Sequence, residues 1–247
     1  MAWDPYAQGM SEFKEQDFDS IKKLTHFEYS LFAKYLGARV LEVGAGWGRV
    51  TELVLEKHRP LEMVAIEPSS DLFGKLVSRL RSSEKLTLYR AEVADLLIKY
   101  PQYFDTSFSV HVLEHIEDDQ RFIEDSIALL RSKGKLIILV PALQFLYSNL
   151  DRNIGHYRRY DKKMIRKLVA GKNVKIEKLF YSNFLGVLAS LYFLKFKNLE
   201  YQSSEKKEQF IFLFKLYDRF FIPMIALLEK YLSVPIGLNL TVVLEKY

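Results

Sequence analysis

Glu42, Glu67, Glu92, His111 and His115 each stand at or beside the end of a short apolar run, where a strand hands over to a turn. Between the first two acids lies Gly44-Ala45-Gly46-Trp47-Gly48, with glycine at alternate positions. Lacking Cβ atoms, such a turn can bend sharply and let a ligand approach the main chain. Val50, Leu53 and Val54 then recur at helical spacing. The start of that helix offers N–H groups to an anionic group. Arg49 occupies the position where a dinucleotide fingerprint needs its third glycine, so the pattern is E-x-G-x-G-x-G. Glu67 follows the first glycines by about twenty residues, the place from which nucleotide-binding α/β folds offer a carboxylate to a ribose diol. A solvated strand-end Glu is the simpler alternative. His115 and His156 are candidates for moving a proton, although His115 could equally hold its own loop in place. In the run His156-Tyr157-Arg158-Arg159-Tyr160 the paired arginines suit a phosphate or carboxylate, and Tyr157 and Tyr160 add hydroxyls. The competing reading is a capping loop whose arginines make surface or helix-end contacts.

The rest of the composition narrows the chemistry. No cysteine is present among 247 residues, which excludes disulfides, thiolate metal sites and a cysteine nucleophile. H-E-x-x-H, a P-loop lysine and any Cys/His cluster are also missing, so no metal site is expected. The net charge of +5 is mild, and its basic residues are dispersed with no reader motif, which argues against nucleic acid. The start Met1-Ala2-Trp3-Asp4-Pro5 has no basic segment leading into an apolar run. A cytoplasmic location is expected.

Alternating strand and helix patterns supply the positions. A helical segment is expected from about Ser11 to Leu36, with Phe27, Leu31 and Tyr35 on one face. Strands are expected at Val40–Val43, Met63–Ile66, Leu86–Tyr89, Phe104–Val110 and Gly134–Pro141. Ser69, Ser70 and Asp71 are helix caps, and a helix runs to Leu130 with Phe122, Ile123, Ile127 and Leu130 facing inward. The continuous apolar run of the fifth strand suits burial on both sheet faces. Such alternation implies a parallel, doubly wound sheet whose ligands lie beyond the carboxyl ends of the strands. After Pro141 a long polar-aromatic loop should cover the pocket. Met164–Val169 reads as a short helix, and Val174–Tyr181 and Leu240–Lys246 alternate as strands. Between these strands, Asn183 to Gly237 reads as a helical insertion rich in aromatics, with Glu200 to Gln209 as a polar loop. Its longest uncharged run, Ser182 to Leu194, is shorter than the ~20 residues that span a bilayer. A peripheral membrane contact, a lid, a dimer contact and plain packing on the sheet all stay open for it.

The glycine run with Glu42 resembles motif I of the class I S-adenosylmethionine-dependent methyltransferases, and V-L-E-H-I (Val112 to Ile116) resembles the small-molecule members of the ubiquinone-biosynthesis kind. The H-Y-R-R-Y run is similar to a subset associated with polysaccharide and glycoconjugate gene sets. The resemblance implies a seven-stranded Rossmann-like methyltransferase sheet, α/β and doubly wound, with strand seven antiparallel. One domain is expected: a helical segment 1–36, a cofactor core 37–182, the insertion 183–237 and a last strand 238–247. S-adenosylmethionine is the implied cofactor. Glu42 would lie near its methionine amino group, and Gly44, Ala45, Gly46 and Gly48 would admit its backbone-like end and ribose. Glu67 and Pro68 would serve the ribose, and Glu92 and Val93 the adenine. His111 and Val112 complete the cofactor side. No N-P-P-Y run follows strand four, so base-amino methylation is not implied. The expected activity is O- or N-methylation of a small-molecule or glycosyl acceptor, with a quinone-like or lipid acceptor or a non-catalytic scaffold subunit as rivals. Oligomer formation is left open.

Overall fold

Each strand of the sheet owes its place to which of its faces is apolar. A computed structural model describes residues 21–80, 84–191 and 204–247 of the chain. Its strands are β1 (Arg39–Val43), β2 (Glu62–Ile66), β3 (Leu86–Tyr89), β4 (Phe104–Val110), β5 (Leu130–Pro141), β6 (Val174–Ser182) and β7 (Asn239–Lys246). They form one seven-stranded sheet in the order β3-β2-β1-β4-β5-β7-β6. The first five are parallel, and β7 runs antiparallel between β5 and β6. This is the seven-stranded methyltransferase sheet that the sequence implied.

Successive side chains of a strand point to opposite faces. In β1, Leu41 and Val43 join the larger core with Val64, Ile66, Leu136 and Ile138, while Val40 joins Phe32, Val54, Met63, Phe108 and Val243 on the other face. The helices α1 (Lys22–Phe32), α2 (Arg49–Lys57), α3 (Ser70–Arg79) and α4 (Asp119–Leu129) cover those faces. Each buried Leu, Ile or Phe is worth roughly 1.5–3 kcal/mol, so the apolar strands drive this layering. Ser69 caps α3 by accepting from the Leu72 N–H.

Four expectations change. The N-terminal helix is α1 followed by a tight turn at Ala33–Tyr35, and 11–20 lie outside the described residues. Leu130 opens β5 instead of closing α4, because it pairs with Phe104 ahead of a register shift. The segment after Pro141 is not one loop: it contains a turn at Gln144–Leu146 and a short helix α5 (Asn149–Asn153), where the Ser148 N–H donates to the Asp151 carboxylate at 2.9 Å. Ser204 to Gln209 are helical, forming the start of α8 (Ser204–Leu216), since Glu205, Lys206, Lys207 and Glu208 are strong helix formers.

Beyond α6 (Lys162–Val169) and β6, the described part of the insertion comprises α7 (Phe184–Ser190), α8, a wide turn Tyr217–Phe221 and α9 (Ile222–Glu229). Among the described residues, no helix is long and apolar enough to cross a membrane. The insertion's two ends meet. The Leu238 N–H donates to Asn183 at 3.1 Å, and the Glu229 carboxylate accepts from the Asn183 and Phe184 N–H groups at 3.0 and 2.9 Å. Pro141 pairs with Asn239, so this junction adjoins the carboxyl end of β5.

Candidate active site

The strands β1 and β2 end together, and the chain turns back at once. The Gly44 and Ala45 N–H groups both donate to the Ile66 carbonyl at 2.9 Å. Gly44, Gly46 and Gly48 take φ values of 73°, 57° and 88°, the left-handed region that glycine enters without strain. Their surroundings differ. A Cβ on Gly44 would lie 2.4 Å from Val112 Cγ2, and one on Gly48 would lie 2.8 Å from Leu76 Cδ1. A Cβ on Gly46 would meet nothing within 4 Å. Gly44 therefore serves packing against the turn after β4, whereas Gly46 fronts open space.

Two acids back this loop. Glu67 is buried, accepting from the Gly46 N–H at 2.9 Å and from the Ser69 N–H at 3.0 Å, so one carboxylate fixes both the glycine turn and the start of α3. Glu42 is also buried and accepts from the Thr51 hydroxyl at 2.6 Å. Burial pushes its carboxyl up to about 8, with the Glu67 charge adding and the Thr51 hydrogen bond opposing. Ala45 packs on Leu76 and Leu80, and Pro68 is exposed. Glu92 is exposed after β3, its N–H donating to Asp95 at 2.9 Å. Val93 turns into the main core.

At the end of β4 the chain takes a non-glycine residue into the left-handed region: His111 has φ 56°. Such strain persists only where surrounding contacts fix it. Here Glu28 on α1 meets His111 Nε2 at 2.9 Å, and Glu114 lies 3.5 Å from Nδ1. Burial opposes the imidazolium, but these two carboxylates outweigh it and raise His111 to about 10. Glu114 itself is fully buried. His115 is pushed down to about 4, by burial first and by neighbouring His156, so it is neutral at physiological pH. The rings of His115 and His156 stand edge to face with centroids 4.6 Å apart. His156 Nδ1 meets Asp151 at 3.0 Å, and Asp151 accepts from Arg159 Nε at 2.8 Å. Burial works against the Asp151 charge, yet its two hydrogen-bonded partners hold it at about 2.

His115 and His156 are thus brought together, and the His115 N–H donates to the carbonyl of Val112, the residue packed on Gly44. Both arginines of the pair bond groups of the chain itself. Arg158 donates to the Ile116 carbonyl at 2.8 Å and to Asp119 at 3.2 Å. Arg159 is buried on Asp151, and buried Tyr160 donates to Asp119 at 3.0 Å. Arg158 and Tyr160 fasten the β5 loop to the turn after β4, and Arg159 ties the loop to itself, with the chain's own carboxylates as partners. Tyr157 alone in that run is exposed. Sequence reasoning did not assign Glu28, Glu114 or Asp151. Glu114 lay in plain view inside V-L-E-H-I, while Glu28 carried no local signal.

Residues 41–136 match the family model described as a methyltransferase domain. A ubiquinone biosynthesis O-methyltransferase of Coxiella burnetii is 28% identical over 135 residues, 55% of this chain and 52% of that protein. Its namesake from Xanthomonas euvesicatoria is 31% identical over 138 residues, 51% of this chain and 57% of that protein. The chain spans about half the length of the curated relatives it matches. Among solved structures, an S-adenosylmethionine-dependent methyltransferase of Thermotoga maritima superposes with a TM-score of 0.64 at 12% identity, covering 99% of this chain and 100% of that one. A 1,6-didemethyltoxoflavin-N1-methyltransferase of Burkholderia thailandensis, solved with S-adenosylhomocysteine, gives 0.58 at 16% identity over 97% and 84%. The strand order, the glycine turn and these likenesses agree: the fold is that of the class I S-adenosylmethionine-dependent methyltransferases, and residues 41–136 match a methyltransferase domain.

Proposed function

We propose that this chain methylates a hydroxyl or amine of a small-molecule acceptor, at the cluster of Glu114, His115 and His156. The observation that carries this reading is the half-buried His115 edge-on to a carboxylate-oriented His156, three residues beyond the Val112 that packs on Gly44. When bound, the cofactor would supply a sulfonium methyl group open to attack at carbon by an acceptor lone pair, with the thioether as leaving group taking the C–S electrons. Gly46 would leave room for it at the main chain, Glu42 would hold its ammonium group, Glu67 would serve its ribose, and Glu92, Val93, His111 and Val112 would border the remainder. The protein's task is then alignment and removal of the acceptor's proton. In this reading the His115–His156 pair takes that proton, and Asp151 stabilises charge gained by His156. Of the candidate acceptor contacts, Tyr157 is the exposed one.

The names of the Coxiella and Xanthomonas relatives support an oxygen acceptor, and a glycosyl hydroxyl needs the same activation. The insertion, with Phe212, Phe220 and Leu227 exposed, suits an acceptor carrying an apolar or lipid tail presented at a membrane surface. The test is mass spectrometry of phenol, catechol, sugar and amine acceptors incubated with chain and cofactor. A methylated product is expected, with turnover lowered at least tenfold in His156→Ala while cofactor affinity stays within twofold. Cofactor binding without product across the panel would support a non-catalytic scaffold instead.

A further inference from the structure

The insertion runs from α8 through the wide turn Tyr217–Phe221 into α9 without a break, since Leu216, Phe221 and Ile222 all keep right-handed helical angles. Two stripes at helical spacing result. Asp218, Ile222, Ile225 and Glu229 form the inner one. The first three are buried, and Glu229 accepts from the Asn183 and Phe184 N–H groups. Phe220, Met224, Leu227 and Tyr231 form the outer stripe, and all four are exposed. From Ile222 to Leu228 the helix is apolar on every side, a pattern that belongs inside a core or a bilayer. Among the described residues only its inner side is covered, by Leu24, Phe27 and Leu31 of α1 and by Phe184 and Leu185 of α7. Single apolar side chains on a surface are ordinary, whereas a continuous stripe marks a contact.

Charge selects the occupant. Between Tyr217 and Gly237 the acids are Asp218 and Glu229, and both are engaged inside the fold. The cations Arg219 and Lys230 are exposed, one near each end of the outer stripe. Each stands beside a ring of that stripe, Arg219 at 5.6 Å from the Phe220 centroid and Lys230 at 5.6 Å from that of Tyr231. Long basic side chains lie along apolar surface with the charge at the water boundary, and aromatic rings favour the same boundary of a bilayer. A second copy laid on this face meets no exposed acid between Tyr217 and Gly237, whereas anionic headgroups answer both cations. The eight residues of α9 measure about 12 Å, far less than the ~30 Å hydrocarbon layer, so the helix lies in the plane of the surface. We propose that the outer stripe docks the chain on an anionic phospholipid bilayer, with Phe220, Met224, Leu227 and Tyr231 entering the headgroup boundary and Arg219 and Lys230 meeting lipid phosphates. This deepens the reading of an acceptor presented at a membrane surface and rests on that reading for its purpose, while the contact itself needs neither acceptor nor cofactor.

The test is co-sedimentation of the full chain with vesicles of phosphatidylcholine alone and of phosphatidylcholine mixed with phosphatidylglycerol, without cofactor. Partitioning onto the mixed vesicles should exceed that onto the neutral ones at least tenfold and fall as salt rises. Leu227→Asp should weaken it at least tenfold, and Arg219→Gln combined with Lys230→Gln should remove the preference for the anionic lipid. Ile98→Asp, at an exposed apolar position outside the insertion, should bind like the parent. Melting temperature verifies that each variant folds, and methylation of a soluble acceptor is measured on the same proteins. No partitioning by the parent, or partitioning unchanged in Leu227→Asp and in the double variant, overturns the membrane contact and leaves methyl transfer standing. A dimer in sedimentation equilibrium that Leu227→Asp dissociates, without vesicle binding, gives the stripe to a second copy and overturns the proposal as well. Vesicle binding of the expected pattern by a chain that methylates no soluble acceptor keeps the contact and counts against the methyl-transfer reading alone.

Discussion

Glu42 is a carboxylate whose burial works against the fold while suiting a cationic ligand. Its folded pKa of about 8 stands above the ordinary 4.5. The native state therefore binds the extra proton, and the stability associated with this group is fully present below pH 4.5 and lost as pH rises through 8. In Glu42→Gln that slope disappears. The melting temperature of the variant relative to the parent should thus rise between pH 5 and pH 9, measured without cofactor. Bound ammonium favours the ionised form, so cofactor affinity of the parent should strengthen from pH 6 to pH 8 with proton release, and calorimetry in buffers of different ionisation enthalpy reads both. An affinity of Glu42→Gln equal to the parent at pH 8 would remove Glu42 from the site. The glycines separate in the same manner. Gly46→Ala meets no atom and carries only the strain of positive φ, about 1 kcal/mol, so its melting should fall little while cofactor affinity falls more. Gly44→Ala collides with Val112 and should lose about 1–3 kcal/mol of stability as well. The glycines, Glu42 and Glu67 were legible because they are consecutive or one βα unit apart. Glu28 was not, since its partner His111 is 83 positions away and only the packing of α1 joins them.

At the level of elements, α1 is positioned from three directions. Arg49 on α2 donates to the Ile21 carbonyl at 2.5 Å and to the Thr25 hydroxyl. Buried Asp218, in the insertion, accepts from the Leu24 N–H at 2.6 Å and the Lys23 N–H at 3.3 Å, covering the N–H groups that the start of a helix leaves unpaired. Phe27 packs on Ile222 and Ile225. This arrangement presents Glu28 to His111. Asp218→Ala should cost about 1–2 kcal/mol, the worth of a helix cap. In hydrogen exchange, amides of α1 should then open faster while those of β4 and β5 keep their protection, and uniform loosening of the sheet would contradict this. Strand and helix order was readable from apolar periodicity, which the buried sheet imposes on every core segment. Helix α5 and the early start of β5 were not, because a five-residue helix is held by the Ser148–Asp151 cap and Leu130 by its pairing across the sheet with Phe104.

For the whole molecule, the decisive geometry is the junction where the insertion leaves and rejoins the sheet. A Cβ on Gly237 would lie 2.2 Å from the Ser182 carbonyl oxygen, so the two chain segments touch backbone to backbone. Gly237→Ala should therefore force them apart at a cost of about 1–3 kcal/mol and a few degrees of melting temperature, with cofactor affinity preserved. Melting identical to the parent would show that the junction tolerates a wider gap. The closeness of those ends also gives the fold a modular grammar. Between Ser182 and Gly237 the chain makes an excursion that the β6–β7 hairpin does not require, so excursions of other lengths and compositions can be exchanged there while the sheet and glycine turn stay as they are. The exchange has one condition. A replacement must bring its own counterparts to Asp218, Ile222 and Ile225, because the helix that carries Glu28 leans on them. Any cassette exchanged at this junction has to keep propping the first helix.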